Sequence, residues 1–370
     1  MSANSDSNVI GVVILARHGD RQGRYQNPET YSATSTVITP LGEQQEYQLG
    51  GYLRDIYLNP NSSSYIQGIF SVPAIFNESE VIVRADAGGD GGVIVDSSEA
   101  MVQGLWPATP LQSIVLANGS SITSPLGGYQ YVPIESVDPD EDVSLEGYTS
   151  CNVRTAWNIF DYMNVQNTHN ATFAQRLPST FLEQARALAN WHEYNVFTDP
   201  DFYGIGNIGI QTMLPSMLSA IQDIANSTNP LRLHYSAISY IPFMSFFNMT
   251  GLVESGDIVG GIVDYAAAVV LEIRQSSSDS EPFIRFQYKN GTDDILHNYS
   301  LTFPGRSGTA TYLFQHSSMP SNPQLSTAHL IGARFVGRIA SEDVINSWLQ
   351  RPPEYTRESA QLALVSWVLD

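Results

Sequence analysis

Apolar and polar positions fall into blocks with two different periods. Val9 to Ala16 is a β-branched apolar run between polar flanks, the pattern of a strand buried on both faces and paired in parallel. In "ITPLGEQQEYQLGGYLRDIYL", which begins at Ile38, Thr39 stands as N-cap and Pro40 at the first helical position. Leu49, Tyr52, Leu53 and Ile56 then recur at i, i+3, i+4 and i+7, which predicts an amphipathic helix. The order strand, glycine loop, helix repeats in "EVIVRADAGGDGGVIVDSSEAMVQGLWP" from Val81 onward. Two such units predict the α/β class, a doubly wound, mostly parallel sheet with flanking helices.

From Trp157 the period becomes helical. Thr180 and Glu183 form a capping-box pattern, with Phe181, Ala185, Leu188 and His192 on one face. The sheet resumes with "LRLHYSAIS"; "YAAAVVLEIRQ" reads as a short helix or a strand, and "PFIRFQYKNGTDD" ends in a hairpin-like Asn290-Gly291 turn. Beyond Pro304 the periodicity is poor until "ESAQLALVSWVL". The expected organisation is residues 9–150 as the first part of an α/β domain, 151–230 as an inserted helical cap, 231–303 as the remainder of the α/β domain, and 304–370 as a divergent tail.

Composition narrows the function classes. The 370 residues carry a formal net charge of -20, and Lys289 is the sole lysine, so nucleic acid and anionic membranes are poor partners. No window supplies the roughly 18 uninterrupted apolar residues of a membrane helix. Eight Asn-X-Ser/Thr acceptor sites, at Asn61, Asn77, Asn118, Asn170, Asn226, Asn248, Asn290 and Asn298, point to the secretory route and to N-glycans. The start "MSANSDSN" has neither a basic region nor an apolar one, so the expectation is a secreted protein whose signal peptide this chain does not contain. Cys151 is the single cysteine, which rules out an intramolecular disulfide.

Against that acidic background, "VVILARHGDRQG" places Arg17, His18 and Arg21 directly after a strand. Side chains at that position face the crevice outside the sheet's carboxyl edge, where open α/β folds bind ligands. Gly19 permits a tight turn. Two guanidinium forks suit the oxygens of a phosphoryl group, and a neutral imidazole between them can attack phosphorus to form a phosphohistidine. Other chemistry is thin: His192-Glu193 lacks the second histidine of a zinc-protease helix, and "GGDGG" lacks the lysine and serine of a nucleotide loop. No metal and no other cofactor is expected.

"LARHGDRQG", the helix that follows it, "VIVRADAGG", "QGLWPATP" and "YVPIESVDPDEDVSLEGYTSC" occur in the family order of the histidine acid phosphatases. Over roughly residues 9 to 303 the chain resembles that family, the acid phosphatase and phytase branch of the histidine phosphatases, and is most similar to secreted fungal members labelled phosphoglycerate-mutase-like. The resemblance implies an α/β sandwich with an inserted α lobe and metal-free phosphomonoester hydrolysis through phosphohistidine. It makes His18 the nucleophile and Arg17 and Arg21 the phosphate clamp, with Arg84 as a further candidate for binding phosphate or as a strand-end residue on the rim.

Three departures accompany the resemblance. The third clamp arginine, seven residues after the position of Arg84, is missing from "ADAGGDGG". The His-Asp dipeptide that serves the family as second histidine and proton donor aligns with Ile238-Ser239, and serine is too weak an acid for that task. His234 lies four residues upstream, about 13 Å along an extended strand, and reads as a sheet histidine; Asp20 and Glu135 are the carboxylates placed to act as a displaced acid. Finally, the cap after Cys151 is abridged, and the family's disulfide-bearing C-terminal segment has no counterpart after Pro304. The sequence thus leaves three readings: a hydrolase of small phosphomonoesters with a degenerate acid, an inactive protein that binds inorganic phosphate or a phosphorylated ligand, and a phosphomutase.

Overall fold

Strand β1 (Ser7–Arg17) lies in the middle of the sheet, fully covered from Gly11 to Arg17. The computed structural model describes residues 7–23, 36–69, 75–86, 92–136, 155–202, 204–276, 282–301 and 312–313. Cys151, the "GGDGG" loop up to Gly91 and all of the expected 304–370 tail except 312–313 lie outside the described residues. In chain order, β1 is followed by α1 (Pro40–Tyr57), β2 (Val81–Ala85), α2 (Val93–Leu105), the exposed hairpin β3 (Ser113–Val115) and β4 (Ser121–Thr123), and the short α3 (Pro125–Gly128). A helical stretch comes next: α4 (Thr155–His169), α5 (Ala171–Arg176), α6 (Phe181–Val196), α7 (Ile208–Gln211) and α8 (Leu214–Ala225). The chain returns to the sheet through β5 (Leu233–Ile238), α9 (Ile241–Met249), β6 (Ala268–Ser276), β7 (Phe283–Lys289), β8 (His297–Tyr299) and β9 (Tyr312–Leu313).

Seven strands form one sheet in the order β2-β5-β1-β6-β7-β8, with β9 also pairing to β7. The expected parallel pairing holds where the chemistry sits: β2 and β1 flank β5 in parallel, with Val12 and Val81 both opposite Leu233. On the other side of β1 the strands run antiparallel, β6 to β1 and then β7 and β8 in turn. For β6, β7 and β8 the spacing along the chain accounts for this, since consecutive strands separated by so few residues pair antiparallel. The ambiguous "YAAAVVLEIRQ" is thereby strand from Ala268, and Gly291 with φ +88° opens the link from β7 to β8.

Alternation along β1 divides the core. Val12, Ile14 and Ala16 pack with Leu49 and Leu53 of α1 and Met101 and Leu105 of α2. Val13 and Leu15 pack with Met217 and Ile221 of α8, Phe243 and Phe247 of α9, and Trp157 of α4. Helices thus cover both sheet faces. A buried polar cluster ties α1 to the antiparallel strands: Glu272 receives Arg274 Nη1 at 2.9 Å, Arg285 Nε at 2.6 Å and the Tyr57 hydroxyl at 3.0 Å.

The expected start of α1 is present, Thr39 Oγ1 accepting from the Gly42 amide at 3.2 Å. The expected capping box of α6 is not. Thr180 makes no side-chain bond to the helix backbone, and its hydroxyl accepts from Gln184 Nε2 instead. Nor is the Phe181–His192 stripe its core face: Phe181 and Leu188 are exposed and line an open apolar groove with Ile159 and Met163 of α4, while Ala189 and Glu193 are buried. The reason is that α6 packs on α4 through another face, burying Ala189 in the apolar core and Glu193 against the Tyr240 hydroxyl.

Candidate active site

Backbone pairing brings the end of β1 to one place. Arg17 N donates to the Ala267 carbonyl at 2.9 Å and His18 N to the Ile238 carbonyl at 3.2 Å, while His18 O accepts from Ala266 N at 3.3 Å. The turn then lies against α1 and α2. Gly19 N donates to Ser97 Oγ at 3.1 Å, and Asp20 N to Gln45 Oε1 at 2.9 Å. This close approach requires two glycines, because a Cβ on Gly19 would overlap the Gly42 carbonyl and one on Gly42 would overlap the Asp20 carbonyl. With its amides bonded, the turn has little freedom to move.

His18 is 1% exposed, and its Nδ1 lies 2.8 Å from its neighbour Gly19's carbonyl oxygen. A carbonyl only accepts, so Nδ1 carries the proton and the lone pair resides on Nε2. That tautomer is assigned from the contact, and it is the one a nucleophilic imidazole needs.

Arg17 is buried between two aromatic rings, its Cζ 4.3 Å from the centroid of Tyr265 and 5.3 Å from that of Tyr240. Its Nη1 donates to the Val263 carbonyl, and its Nε is buried with no hydrogen-bond partner. Burial lowers the Arg17 pKa from its ordinary value, with the neighbouring Arg21 charge acting in the same direction and Tyr265 opposing. Even so lowered, a guanidinium keeps its charge. Arg21, also buried, pairs with Asp161 of α4, Nη1 standing 3.2 Å from Oδ1, and its Cζ lies 5.8 Å from the Trp157 ring. Asp20 is buried as well. Its carboxylate accepts from Thr39 Oγ1 at 2.5 Å and lies 2.8 Å from Nε2 of His169 at the end of α4.

The structure keeps three of the four sequence-derived residues in one turn: Arg17 and His18 share Tyr265 as a neighbour, its ring 5.6 Å from that of His18, and Arg21 lies against Trp157. Arg84 stands apart at the end of β2. Its Nε pairs with Glu135 at 3.3 Å and its Nη1 donates to Ser216 Oγ at 3.1 Å, in the manner of a strand-end residue on the rim. Those same contacts, and an exposure of 59%, engage the Glu135 carboxylate away from His18. His234 is an interior residue of β5, 3.2 Å from Ser236 Oγ, and burial lowers its pKa to about 4, Arg84 adding to the effect.

Arg17 is paired in register with Ile238, so the Ile238-Ser239 dipeptide does stand beside the histidine turn. Ile238 is apolar and buried; Ser239 Oγ is buried with no hydrogen-bond partner. Sequence reading missed Trp157, Asp161, His169, Tyr240 and Tyr265. Trp157, Asp161 and His169 recur at i, i+4 and i+12 on α4, a face that reads as ordinary amphipathicity until the helix is placed over β1. Tyr265 precedes β6 in a turn where Ala266 has φ +57° and its carbonyl accepts from Lys289 Nζ at 3.4 Å. Only the β1–β6 pairing makes that turn a neighbour of His18. Among the described residues no group of three or more His, Cys, Asp or Glu side chains could hold a metal ion, and no helix there is long and apolar enough to cross a membrane.

No protein-family model matches the chain, and no curated protein does. Among solved structures, a phytase from a Klebsiella species is similar with a TM-score of 0.52 and 12% sequence identity, over 81% of this chain and 89% of that one. The Citrobacter braakii phytase has a TM-score of 0.48 and 12% identity over 76% of this chain and 85% of its own. The Bifidobacterium longum multiple inositol polyphosphate phosphatase, in complex with inositol hexasulfate, has a TM-score of 0.48 and 12% identity over 80% and 89%. The chain has the mixed α/β fold that the Klebsiella phytase also has.

Proposed function

We propose that this protein is a phosphomonoester hydrolase of the histidine acid phosphatase type, acting on a small phosphorylated substrate through a phosphohistidine on His18. One observation carries the reading: a buried imidazole with its lone pair on Nε2 lies in the same turn as two buried arginines, at the carboxyl edge of three parallel strands. The fold shared with a phytase is consistent with it. In this reading Nε2 of His18 attacks phosphorus, and Arg17 and Arg21 spread the charge on the equatorial oxygens. Residues 9–150 and 231–303 form the catalytic domain, 151–230 an abridged cap and 304–370 a tail of its own. Arg84, already held by Glu135 and Ser216, serves at most the outer edge of the phosphate site.

The reading extends to a secreted glycoprotein of the fungal kind. Seven of the acceptor asparagines, all but Asn248, are exposed. Asn248 is partly buried, its amide donating to the Asp199 carbonyl at 2.9 Å, and is left unmodified in this reading.

A labelled phosphomonoester, mixed with the protein and quenched within a turnover, tests the reading. Acid-labile, base-stable label on His18 is expected, and none in His18→Ala. A parent protein that takes up no label refutes covalent catalysis. The Arg21–Asp161 ion pair and the Ile238-Ser239 dipeptide favour a second reading, an inactive phosphate-binding descendant. Calorimetric binding of inorganic phosphate without release of p-nitrophenol from its phosphate ester between pH 3 and 7 would select it.

A further inference from the structure

Transfer of a phosphoryl group to His18 leaves an alkoxide that must be protonated, and the dipeptide slot beside the turn holds only Ile238 and the Ser239 hydroxyl. Two buried carboxylates, one in the turn and one on α4, are already engaged. Asp20 accepts from Thr39 and contacts His169, and Asp161 is paired with Arg21. Tyr265 differs from all of them. It is half-buried, with its ring 4.3 Å from the Arg17 Cζ and 5.6 Å from the His18 ring, and its hydroxyl makes no hydrogen bond among the described residues.

Resting on the hydrolase reading above, we propose that Tyr265 is the catalytic acid that replaces the missing dipeptide: its phenol protonates the leaving oxygen, and its phenolate takes a proton from the water that follows. In the first step the His18 Nε2–phosphorus bond forms as the phosphorus–oxygen bond to the substrate breaks. The departing oxygen takes the phenol proton, giving a free alcohol and a phenolate. In the second step water attacks phosphorus, its proton passes to the phenolate, the nitrogen–phosphorus bond breaks, and inorganic phosphate leaves with His18 and Tyr265 restored.

The surroundings of Tyr265 fit both halves of that cycle. Burial raises its pKa above the ordinary phenol value, so the proton is in place at the start. Arg21 and Arg17 pull the pKa down again, and the Arg17 Cζ, 4.3 Å from the ring centroid, stands against the phenolate, while Asp161 and Asp20 push the pKa up and favour its return to phenol. The turn bearing Tyr265 is fixed from behind, because Lys289 Nζ donates to the carbonyls of Ala266 and Gly291. The Arg17 guanidinium thus stands beside the phenol as well as in the phosphate clamp of this reading.

The test compares the parent protein with Tyr265→Phe on two substrates, p-nitrophenyl phosphate, whose leaving group departs without a proton, and glycerol 2-phosphate, whose alkoxide needs one. kcat/KM reports the steps up to phosphorus–oxygen cleavage. For p-nitrophenyl phosphate it is expected to stay within about threefold, and for glycerol 2-phosphate to fall by about 10² to 10⁴, the usual effect of a lost general acid. Labelled phosphohistidine should accumulate in the variant with the aryl ester, because its breakdown lacks the base. Both substrates are read on the same preparation, so a partly misfolded variant leaves the ratio unchanged. Equal losses on both substrates, or none on either, overturn the role of Tyr265 while leaving the hydrolase reading intact. A parent protein inactive on both and unlabelled at His18 overturns the hydrolase reading and this one with it.

Discussion

Two buried histidines, one just after the carboxyl end of β1 and one near the amino end of β5, meet different environments. His18 closes a turn, and its Nδ1 contact to Gly19 leaves Nε2 as the basic nitrogen. His234 sits three-hundredths exposed within β5, and its burial lowers the pKa to about 4. Its ordinary value is about 6.5, so between those two pH values the unfolded chain binds a proton that the folded chain refuses. Stability is therefore fully present above about pH 6.5 and falls as the pH drops toward 4, by about 3 kcal/mol from this one group. Urea unfolding of the parent and His234→Gln at pH 7 and pH 4 checks it: the variant should lose about 3 kcal/mol less than the parent over that interval. An equal loss in both proteins would mean that His234 is protonated in the fold. His234 was legible from sequence as a sheet residue because it lies in an apolar run, whereas the downward push on its pKa depends on the strands either side and on Arg84.

Among the elements, α1 holds the site in place and was the most legible. Thr39, Pro40 and the apolar stripe from Leu49 to Ile56 mark it in sequence, and the structure returns that helix with Leu49 and Leu53 buried. What the stripe does not reveal is why α1 contains three glycines. Gly42 meets the Asp20 backbone of the histidine turn and Gly50 meets the Met101 carbonyl of α2, whereas Gly51 has only the Arg54 Nη2 within 4 Å, at 3.9 Å. Gly42→Ala must therefore move the turn. It is expected to destabilise by about 1–3 kcal/mol, as overpacking does, and to slow p-nitrophenyl phosphate hydrolysis by up to about 10²-fold through displacement of His18. Gly51→Ala should do the opposite, adding about 0.5–1 kcal/mol by helix propensity with unchanged activity. Similar effects from the two substitutions, measured by thermal unfolding and rate, would show that the turn does not rest on α1. The capping box expected at α6 fails because the Thr180 hydroxyl is taken by the Gln184 side chain.

On the scale of the whole molecule, the sheet edge meets α4 and α6 through polar contacts. Arg21 of the turn pairs with Asp161 of α4, Asp20 with His169 of α4, and Tyr240 after β5 donates to Glu193 of α6 at 2.6 Å. Asp161→Asn removes the anion from a buried pair, which is expected to cost about 3–5 kcal/mol in the absence of phosphate. The same change releases Arg21 for an incoming anion. Inorganic phosphate should therefore bind Asp161→Asn more tightly and recover part of the lost stability in proportion to that binding. Calorimetric titration against the parent measures both; an unchanged affinity would show that Asp161 does not compete with the anion for Arg21.

What the chain determines by itself is local: the apolar run of β1, the turn residues Arg17 to Arg21 and the start of α1 all follow from neighbouring residues. Side-chain period, capping and turn chemistry act over a few positions, so they can be read without knowing the fold. Tertiary structure alone decided that β6 to β8 run antiparallel beside a parallel trio, that the Phe181–Leu188 face of α6 lies outward, and that Tyr265 stands beside His18 and Asp161 beside Arg21. Those facts depend on which strands pair and where a helix crosses them. Contacts of that kind join residues far apart in sequence, and no local pattern carries them.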